Sequence, residues 1–207
     1  MAKSIGQRLA KSFYLQEDVV QISKDLLGKV LVTNFDGQLT AGKIVETEAY
    51  RAPDDKACHA YQNLHTKRTS IMFEEGGVAY VYLCYGIHHL FNVVTAKAGM
   101  AHAVLIRAVE PLDNTELMLE RRGRSKANRQ LTGGPGVMSK ALGITKEWTG
   151  VSLLSKDSLI WIEDRGMKIS EEHIISSPRV GVDYAEECAL WDWRFRVKDS
   201  KFTSPAK

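Results

Sequence analysis

Ile44-Val45-Glu46-Thr47-Glu48-Ala49-Tyr50 is the stretch around which the rest of this 207-residue chain is arranged. Its residue types are typical of a β-strand, and strict alternation would put Ile44, Glu46, Glu48 and Tyr50 on one face. Two carboxylates and a phenol are poor core material, because an unpaired buried carboxylate costs several kcal/mol. The stretch therefore predicts either an edge strand with a solvated polar face or a cleft in which a carboxylate activates water or stabilises a cation.

Turn signals and strand-like segments on both sides of this stretch predict a sheet. Asp36-Gly37 indicates a hairpin, because a tight turn needs the positive φ that glycine tolerates. Residues 79–85 and 90–95 are expected to pair across Gly86, and residues 103–109 to follow as a third strand. Since short turns rather than helical crossovers join most strands, we expect a mixed α/β (α+β) fold with a largely antiparallel sheet.

One domain, residues 13–199, is expected. Residues 1–12 carry basic and small residues and are expected to be flexible, as are residues 200–207. The last strand, residues 193–198, alternates strictly. Its alternation is expected to turn three basic side chains outward together: Arg194, Arg196 and Lys198.

The composition is that of an ordinary globular protein. Apolar residues make up 44% and charged residues 26%, and no stretch approaches the ~20 apolar residues of a membrane span. Three dispersed cysteines without a Cys-x-x-Cys pair fit a reducing cytosol and argue against a cysteine-rich zinc site. No export signal follows Met1. We therefore expect a cytoplasmic protein with no membrane partner.

The net charge is only +3, but positive charge is concentrated between residues 121 and 129. Such a cluster is either a solvated helix end or a source of sequence-independent DNA affinity. The members expected to contact a DNA backbone are Arg121, Arg122 and Arg124. The loop Gly133-Gly134-Pro135-Gly136 lacks the ending of a P-loop, although its backbone amides could hold a DNA phosphate.

Three tyrosines follow the central stretch. Tyr80 and Tyr82 could be ordinary sheet aromatics. Tyr85, directly before Gly86 at the expected hairpin tip, is placed as a wedge of the kind that enters between DNA base steps. Enzymes that act on a base extract it from the stack and hold it against aromatic faces. Tyr82, together with Tyr50, is suited to line such a pocket.

Metal-dependent chemistry is the first alternative. Cys58, His59 and His65 lack a fourth ligand with the spacing of a zinc site. Adjacent aspartates such as Asp54 and Asp55 more often make turns than bind magnesium. We therefore expect no metal and no cofactor.

Three rival readings stay open: a metal-dependent nuclease using four carboxylates, a non-catalytic nucleic-acid-binding module, and a structural role that requires a buried Tyr85. The carboxylates of the first are Glu46, Glu48, Asp54 and Asp55.

Taken together, the motifs resemble the alkyladenine (3-methyladenine) DNA glycosylase family, the mammalian-type N-methylpurine DNA glycosylases. The resemblance runs from about residue 11 to residue 198 and rests on the order and spacing of motifs that are weak singly. They are residues 42–50, His59, residues 66–68, Met72-Phe73, residues 80–86, Asn92, residues 105–111, Gly134-Pro135 and residues 179–182. Thr69 departs from the family pattern, which has asparagine there. The resemblance implies one compact domain with a curved antiparallel sheet and a protruding hairpin.

The resemblance also implies residue roles. Glu48 corresponds to the general base, and Arg107, with the backbone near Val182, to the groups that hold the attacking water. Tyr50, His59 and Tyr82 match the pocket positions that hold the flipped base. Asn92 and Leu105 match the positions that crowd the guanine 2-amino group. Tyr85 matches the intercalating side chain. Positions near the DNA backbone are matched by Thr66 and Arg68.

The activity implied is that of a monofunctional glycosylase of base excision repair, acting as a monomer on double-stranded DNA that contains alkylated or deaminated purines. The enzyme would flip out 3-methyladenine, 7-methylguanine, hypoxanthine or ethenoadenine and hydrolyse the N-glycosidic bond, leaving an abasic site. No lysine falls in the inferred site to form a Schiff base. We therefore expect hydrolysis without strand cleavage.

Overall fold

A curved antiparallel sheet lies at the centre of the fold, and the helices pack around it. The computed structural model describes residues 6–204. Its strands are β1 (Gln7–Arg8), β2 (Val30–Phe35), β3 (Gln38–Arg51), β4 (Val78–Cys84), β5 (His88–Thr95), β6 (His102–Asp113), β7 (Ile160–Asp164), β8 (Ile174–Ser177) and β9 (Arg194–Val197). Its α-helices are α1 (Lys11–Tyr14), α2 (Val19–Asp25), α3 (Thr115–Arg122), α4 (Arg129–Thr132) and α5 (Pro135–Leu142). Its 3₁₀ segments are Tyr61–Asn63, Ser70–Phe73, Lys146–Trp148, Glu171–His173 and Asp183–Leu190.

The strands pair in the order β1-β7-β2-β3-β6-β5-β4, and β9 joins β3 and carries β8. The strand pairs are antiparallel. Asp36 and Gly37 have φ of 53° and 75°, the positive values that a tight hairpin turn requires. The predicted α+β fold with a mostly antiparallel sheet is confirmed.

Two irregularities in the β3–β6 pairing change the predicted alternation. Ile44 opposes Val109 and Glu46 opposes Ala108, so Val45 is an extra residue on β3. Thr47 then opposes Ile106, so Arg107 is an extra residue on β6. Beyond each bulge, the side chains of that strand therefore point to the opposite face from the one that strict alternation predicts.

The expectation that Ile44 shares a face with the two glutamates is therefore wrong. Because Val45 is the extra residue, Ile44 turns into the main hydrophobic core with Ala49 and Ile106. The sheet and its helices enclose this core. A smaller cluster lies beneath the loop that follows β3 and includes Ala52, Cys58, Ala60, Met72 and Tyr80.

Both ends of the described chain make defined contacts where flexibility was expected. β1 pairs with β7, and α1 begins at Lys11. At the other end, Ser204 hydrogen-bonds to Glu46. The remaining residues of the two expected flexible segments, 1–5 and 205–207, lie outside the described residues.

The expectation that Arg194 faces outward is also wrong. Arg194 is only 1% exposed, because its guanidinium donates to the buried carboxylate of Glu46. None of the helices within residues 6–204 combines the length and apolar composition needed to cross a membrane.

Candidate active site

A cavity of about 530 Å³ opens between the central strands, the beginning of α5 and the segment 180–184. The strands provide Glu48 and Tyr50 from β3, Tyr80 and Tyr82 from β4, and others from β5 and β6. The remaining predicted site residues that line it are His59, Tyr85, Asn92, Leu105, Arg107 and Val182. The tertiary fold thus brings the predicted catalytic and base-pocket residues to one cavity.

Glu48 lines this cavity with its side chain shielded from bulk solvent. Its Oε2 accepts hydrogen bonds from the Tyr50 hydroxyl at 2.8 Å and from Arg107 at 3.2 Å. Its Oε1 accepts one from the backbone N–H of Val180 at 2.8 Å. The two oxygens of a carboxylate offer about four acceptor sites. The three donors therefore leave roughly one site for a further donor such as water.

The backbone group that contacts Glu48 belongs to Val180, two residues before the Val182 that the resemblance indicates. Val182 is 4% exposed and packs on Ala57 and Ala185. The resemblance indicates this segment, but the hydrogen-bond donor within it could be identified only from the structure.

Arg107 joins Glu48 to a second buried carboxylate, Glu46. Its Nε donates to Glu46 Oε1 at 2.9 Å. Burial disfavours the charge of Arg107, but the two carboxylates raise its pKa, so it stays protonated. Burial alone would raise the pKa of Glu46, but the charges of Arg107 and Arg194 and the N–H of Ser204 together lower it. Two arginines and two carboxylates thus form a charge-balanced buried cluster.

Tyr50 is backed by Arg179, whose guanidinium carbon lies 4.7 Å from the centre of the Tyr50 ring and 5.3 Å from that of Trp193. Arg179 is itself fixed by Asp55, at 2.5 and 2.8 Å. Burial, and next the charge of Glu48, raise the pKa of Tyr50 well above its usual value. The phenol therefore keeps its proton and donates a hydrogen bond to Glu48, and the ring is held in one orientation.

His59 lies between Tyr80 and Arg68. Its Nδ1 is 2.8 Å from the Tyr80 hydroxyl, and its Nε2 is 3.1 Å from a guanidinium nitrogen of Arg68. Because a guanidinium only donates, Nε2 accepts and Nδ1 carries the proton. Burial, and then the charge of Arg68, lower the pKa of His59 to about 4. The imidazole is therefore neutral near pH 7.

The ring of Tyr82 stands edge to face with His59, with the ring centres 4.7 Å apart. The guanidinium carbon of Arg68 lies 4.9 Å from the centre of the Tyr82 ring. Arg68, expected near a DNA backbone, thus contacts two residues of the candidate base pocket. Burial raises the pKa of Tyr82, so its hydroxyl is neutral.

Asn92 and Leu105 are directly opposite each other on β5 and β6. The Asn92 amide donates to the carbonyls of Tyr80 and Leu90 at 3.1 and 3.3 Å. Its orientation is therefore fixed by backbone atoms, and the pair forms a rigid part of the cavity wall.

Tyr85 is at the tip of the β4–β5 hairpin and is 91% exposed. Tyr85 and Gly86 have φ of 51° and 72°, and positive φ is uncommon for a bulky residue. This turn holds the aromatic ring outward beside the cavity mouth. The structural reading that required a buried Tyr85 is excluded.

The remaining residues predicted to contact a DNA backbone differ in their exposure and in whether their side chains bond within the protein. Thr66 is exposed, whereas the buried Thr69 hydroxyl bonds Thr66 and the Leu64 carbonyl, so the departure from the family pattern closes a turn within the loop. Arg121 is engaged in the fold through Thr40 and the Ala141 carbonyl.

Arg122 donates to the Gln130 carbonyl, and Arg124 is exposed. Burial lowers the pKa of Arg121 and of Arg122. Neither of these two arginines nor Arg124 lines the cavity.

The four carboxylates of the nuclease alternative do not converge on one metal position. Glu46 and Glu48 bind Arg107, Asp55 binds Arg179, and Asp54 binds Arg51. Within residues 6–204, no group of three histidine, cysteine or acidic side chains is arranged as a metal site.

Sequence reasoning missed several residues around the site. Tyr80 was treated as an ordinary sheet residue, yet its hydroxyl orients His59. Arg179 belongs to the motif Arg179-Val180-Gly181-Val182, and this position is the signal in the sequence that could have identified it. No local pattern pointed to Ser204.

Comparisons with known proteins agree with the motif-based resemblance. The methylpurine-DNA glycosylase (MPG) family model matches residues 12–201. A Chlamydia felis protein is 48% identical over 196 residues, which cover 93% of this chain and 98% of that protein. A Natranaerobius thermophilus protein is 43% identical over 192 residues, covering 92% and 96%. A Clostridium novyi protein is 42% identical over 205 residues, covering 96% and 98%. The names of all three assign them provisionally as 3-methyladenine DNA glycosylases.

The matched family places the protein in the class of DNA glycosylases, which are hydrolases of DNA repair. The chain belongs to the methylpurine-DNA glycosylase family.

Proposed function

We propose that the protein is a monofunctional glycosylase that flips an alkylated purine out of duplex DNA and hydrolyses its N-glycosidic bond. The observation that carries this proposal is the position of Glu48, a buried carboxylate held by Arg107 and the Val180 N–H beside the ring of Tyr50. The cavity of about 530 Å³ has the size of a small-molecule site. An everted base is a ligand of that size.

In the proposed reaction the bond from C1′ of the deoxyribose to the base breaks, and its electron pair leaves with the base. Positive charge develops on the sugar, and the carboxylate of Glu48 stabilises it. A water held at Glu48 forms the new C1′–O bond and gives its proton to the carboxylate. An N-alkylated purine already carries positive charge and departs as a neutral base, whereas hypoxanthine would need a proton.

Aromatic faces support selection of the damaged base. A cationic ring stacks on an electron-rich ring with about 0.5–2 kcal/mol of cation–π stabilisation, and Tyr50 and Tyr82 provide such rings. Asn92 and Leu105, adjacent on the cavity wall, would crowd the 2-amino group of a normal guanine. 3-Methyladenine and 7-methylguanine are the proposed primary substrates, and hypoxanthine and ethenoadenine are candidates.

Hydrolysis without strand cleavage is part of the proposal. Within residues 6–204, no lysine lines the cavity, and a Schiff base with the sugar requires an amine. Action as a monomer is also part of the proposal.

The test is incubation of the protein with methylated duplex DNA in the presence of EDTA, with chromatography of the released bases. The expected products are free methylpurines and DNA whose backbone stays intact until alkali is added. Strand cleavage without alkali, or no released base, would refute the proposal.

A further inference from the structure

Glu46 is a fully buried carboxylate that lies outside the cavity lining. Its Oε1 accepts hydrogen bonds from Nε of Arg107 at 2.9 Å, from Nε of Arg194 at 2.8 Å and from the Ser204 hydroxyl at 2.9 Å. Its Oε2 accepts from the Ser204 N–H at 2.9 Å. Three separate parts of the chain thus meet at one carboxylate next to the site.

Arg107 transmits the position of Glu46 to Glu48. The Arg107 guanidinium is planar and rigid, and it uses Nε for Glu46 and Nη1 for Glu48. When Nε is fixed by Glu46, the direction in which Nη1 points at Glu48 is fixed as well. A displacement of Glu46 therefore moves the group that holds the proposed general base.

Ser204 restrains Glu46 from the segment that follows β9. Its N–H and hydroxyl reach both carboxylate oxygens, and Arg194 in turn donates to the Ser204 hydroxyl at 2.9 Å and to its carbonyl at 3.1 Å. The side chain and main chain of Ser204 thus form a closed hydrogen-bond network with Arg194 and Glu46. Without Ser204, Glu46 would keep its arginine partners but lose the donor that bridges its two oxygens.

We propose that Glu46 and Ser204 are positioning residues for base excision: Ser204 fixes Glu46, which orients Glu48 through Arg107. The inference rests on the function proposed above. It assigns a role to two residues that do not line the cavity.

The test compares single-turnover release of 7-methylguanine, affinity for duplex DNA with an abasic analogue, and melting temperature. The variants are Ser204→Ala, Glu46→Gln, the double variant and Ser204→Thr. Ser200→Ala is the matched control, because its hydroxyl lies in the same segment and contacts the Phe202 N–H instead of Glu46.

Small displacements of catalytic groups cost up to about 100-fold in rate. We therefore expect Glu46→Gln to slow release about 10- to 100-fold and Ser204→Ala about 3- to 10-fold, with DNA affinity unchanged within about twofold. The double variant should be less impaired than the product of the single effects, since both act through one network. Ser204→Thr should restore the rate, and Ser200→Ala should release base at the wild-type rate.

This inference would be overturned if the wild type releases base and both Ser204→Ala and Glu46→Gln release it at the same rate. The proposed function would then still stand. Rate losses that match those of Ser200→Ala, or that follow the melting temperature alone, would also overturn it. If Glu46→Gln does not fold, the comparison of Ser204→Ala with Ser204→Thr decides. Absence of release by the wild type would refute the proposed function itself.

Discussion

Arg68 donates a hydrogen bond to Nε2 of His59 at 3.1 Å, so the ring proton of the histidine is on the side of Tyr80. The same guanidinium lies over the ring of Tyr82. A loop arginine thus determines the tautomer of a residue in the candidate base pocket, and its charge adds to the burial that keeps this residue neutral. Any DNA phosphate that attracts Arg68 away would change the hydrogen-bonding of His59.

Substitution Arg68→Ala should raise the pKa of His59 from about 4 toward the ordinary histidine value of 6.5. The rise should be partial, because burial is the larger cause of the depression and is retained. Titration of the His59 ring signals by NMR measures it, with Lys67→Ala as the control for loss of a neighbouring exposed charge. An unchanged His59 pKa in Arg68→Ala would show that the Arg68 contact does not influence the histidine in solution.

Substitution Arg179→Ala should lower the free energy of unfolding by about 3–5 kcal/mol, because it leaves the Asp55 carboxylate buried without its partner. Both side chains of this pair are 0% exposed. The matched control is Arg51→Ala, which breaks a pair with Asp54 that is 39% and 48% exposed and should cost about 0–1 kcal/mol. Urea unfolding monitored by fluorescence gives both values, and equal losses would contradict the importance assigned to burial.

Substitution Glu48→Gln should reduce single-turnover base release by about 10²- to 10⁴-fold, the usual contribution of a general base. Binding to duplex DNA with an abasic analogue should be retained, because the amide fills the same space. The control is Glu110→Gln, whose carboxylate pairs with Lys43 at the surface and which should excise normally. Full activity of Glu48→Gln would remove Glu48 from the role of base.

Substitution Tyr85→Ala should weaken binding to lesion-containing duplex about tenfold, since stacking of a base on an aromatic ring contributes about 1–3 kcal/mol. Its effect on non-specific binding at low salt should be smaller, and the melting temperature should not fall, because the ring is 91% exposed. Tyr85→Phe keeps the ring and should behave like the wild type. Equal losses in specific and non-specific binding would argue against a wedge.

Much of the fold was predictable because its signals are local. Asp36-Gly37 and Gly86 mark hairpin turns, and the strands they join follow from residue type and period. The motif order around Glu48 led to the correct family and to one cavity. The parity of β3 was predicted wrongly at Ile44, because a bulge depends on how the partner strand is paired and leaves no local signature.

By itself, the sequence determined the longer strands, the hairpin turns at Gly37 and Gly86, the exposed aromatic at a hairpin tip and the family. Only the tertiary structure decided that Val180 rather than Val182 bonds Glu48, that Arg194 turns inward, and that Ser204 reaches a carboxylate 158 residues earlier in the chain. The physical reason is that a buried carboxylate takes whichever donors the folded chain brings to it. Those donors come from distant segments, and alternation along a single strand carries no information about them.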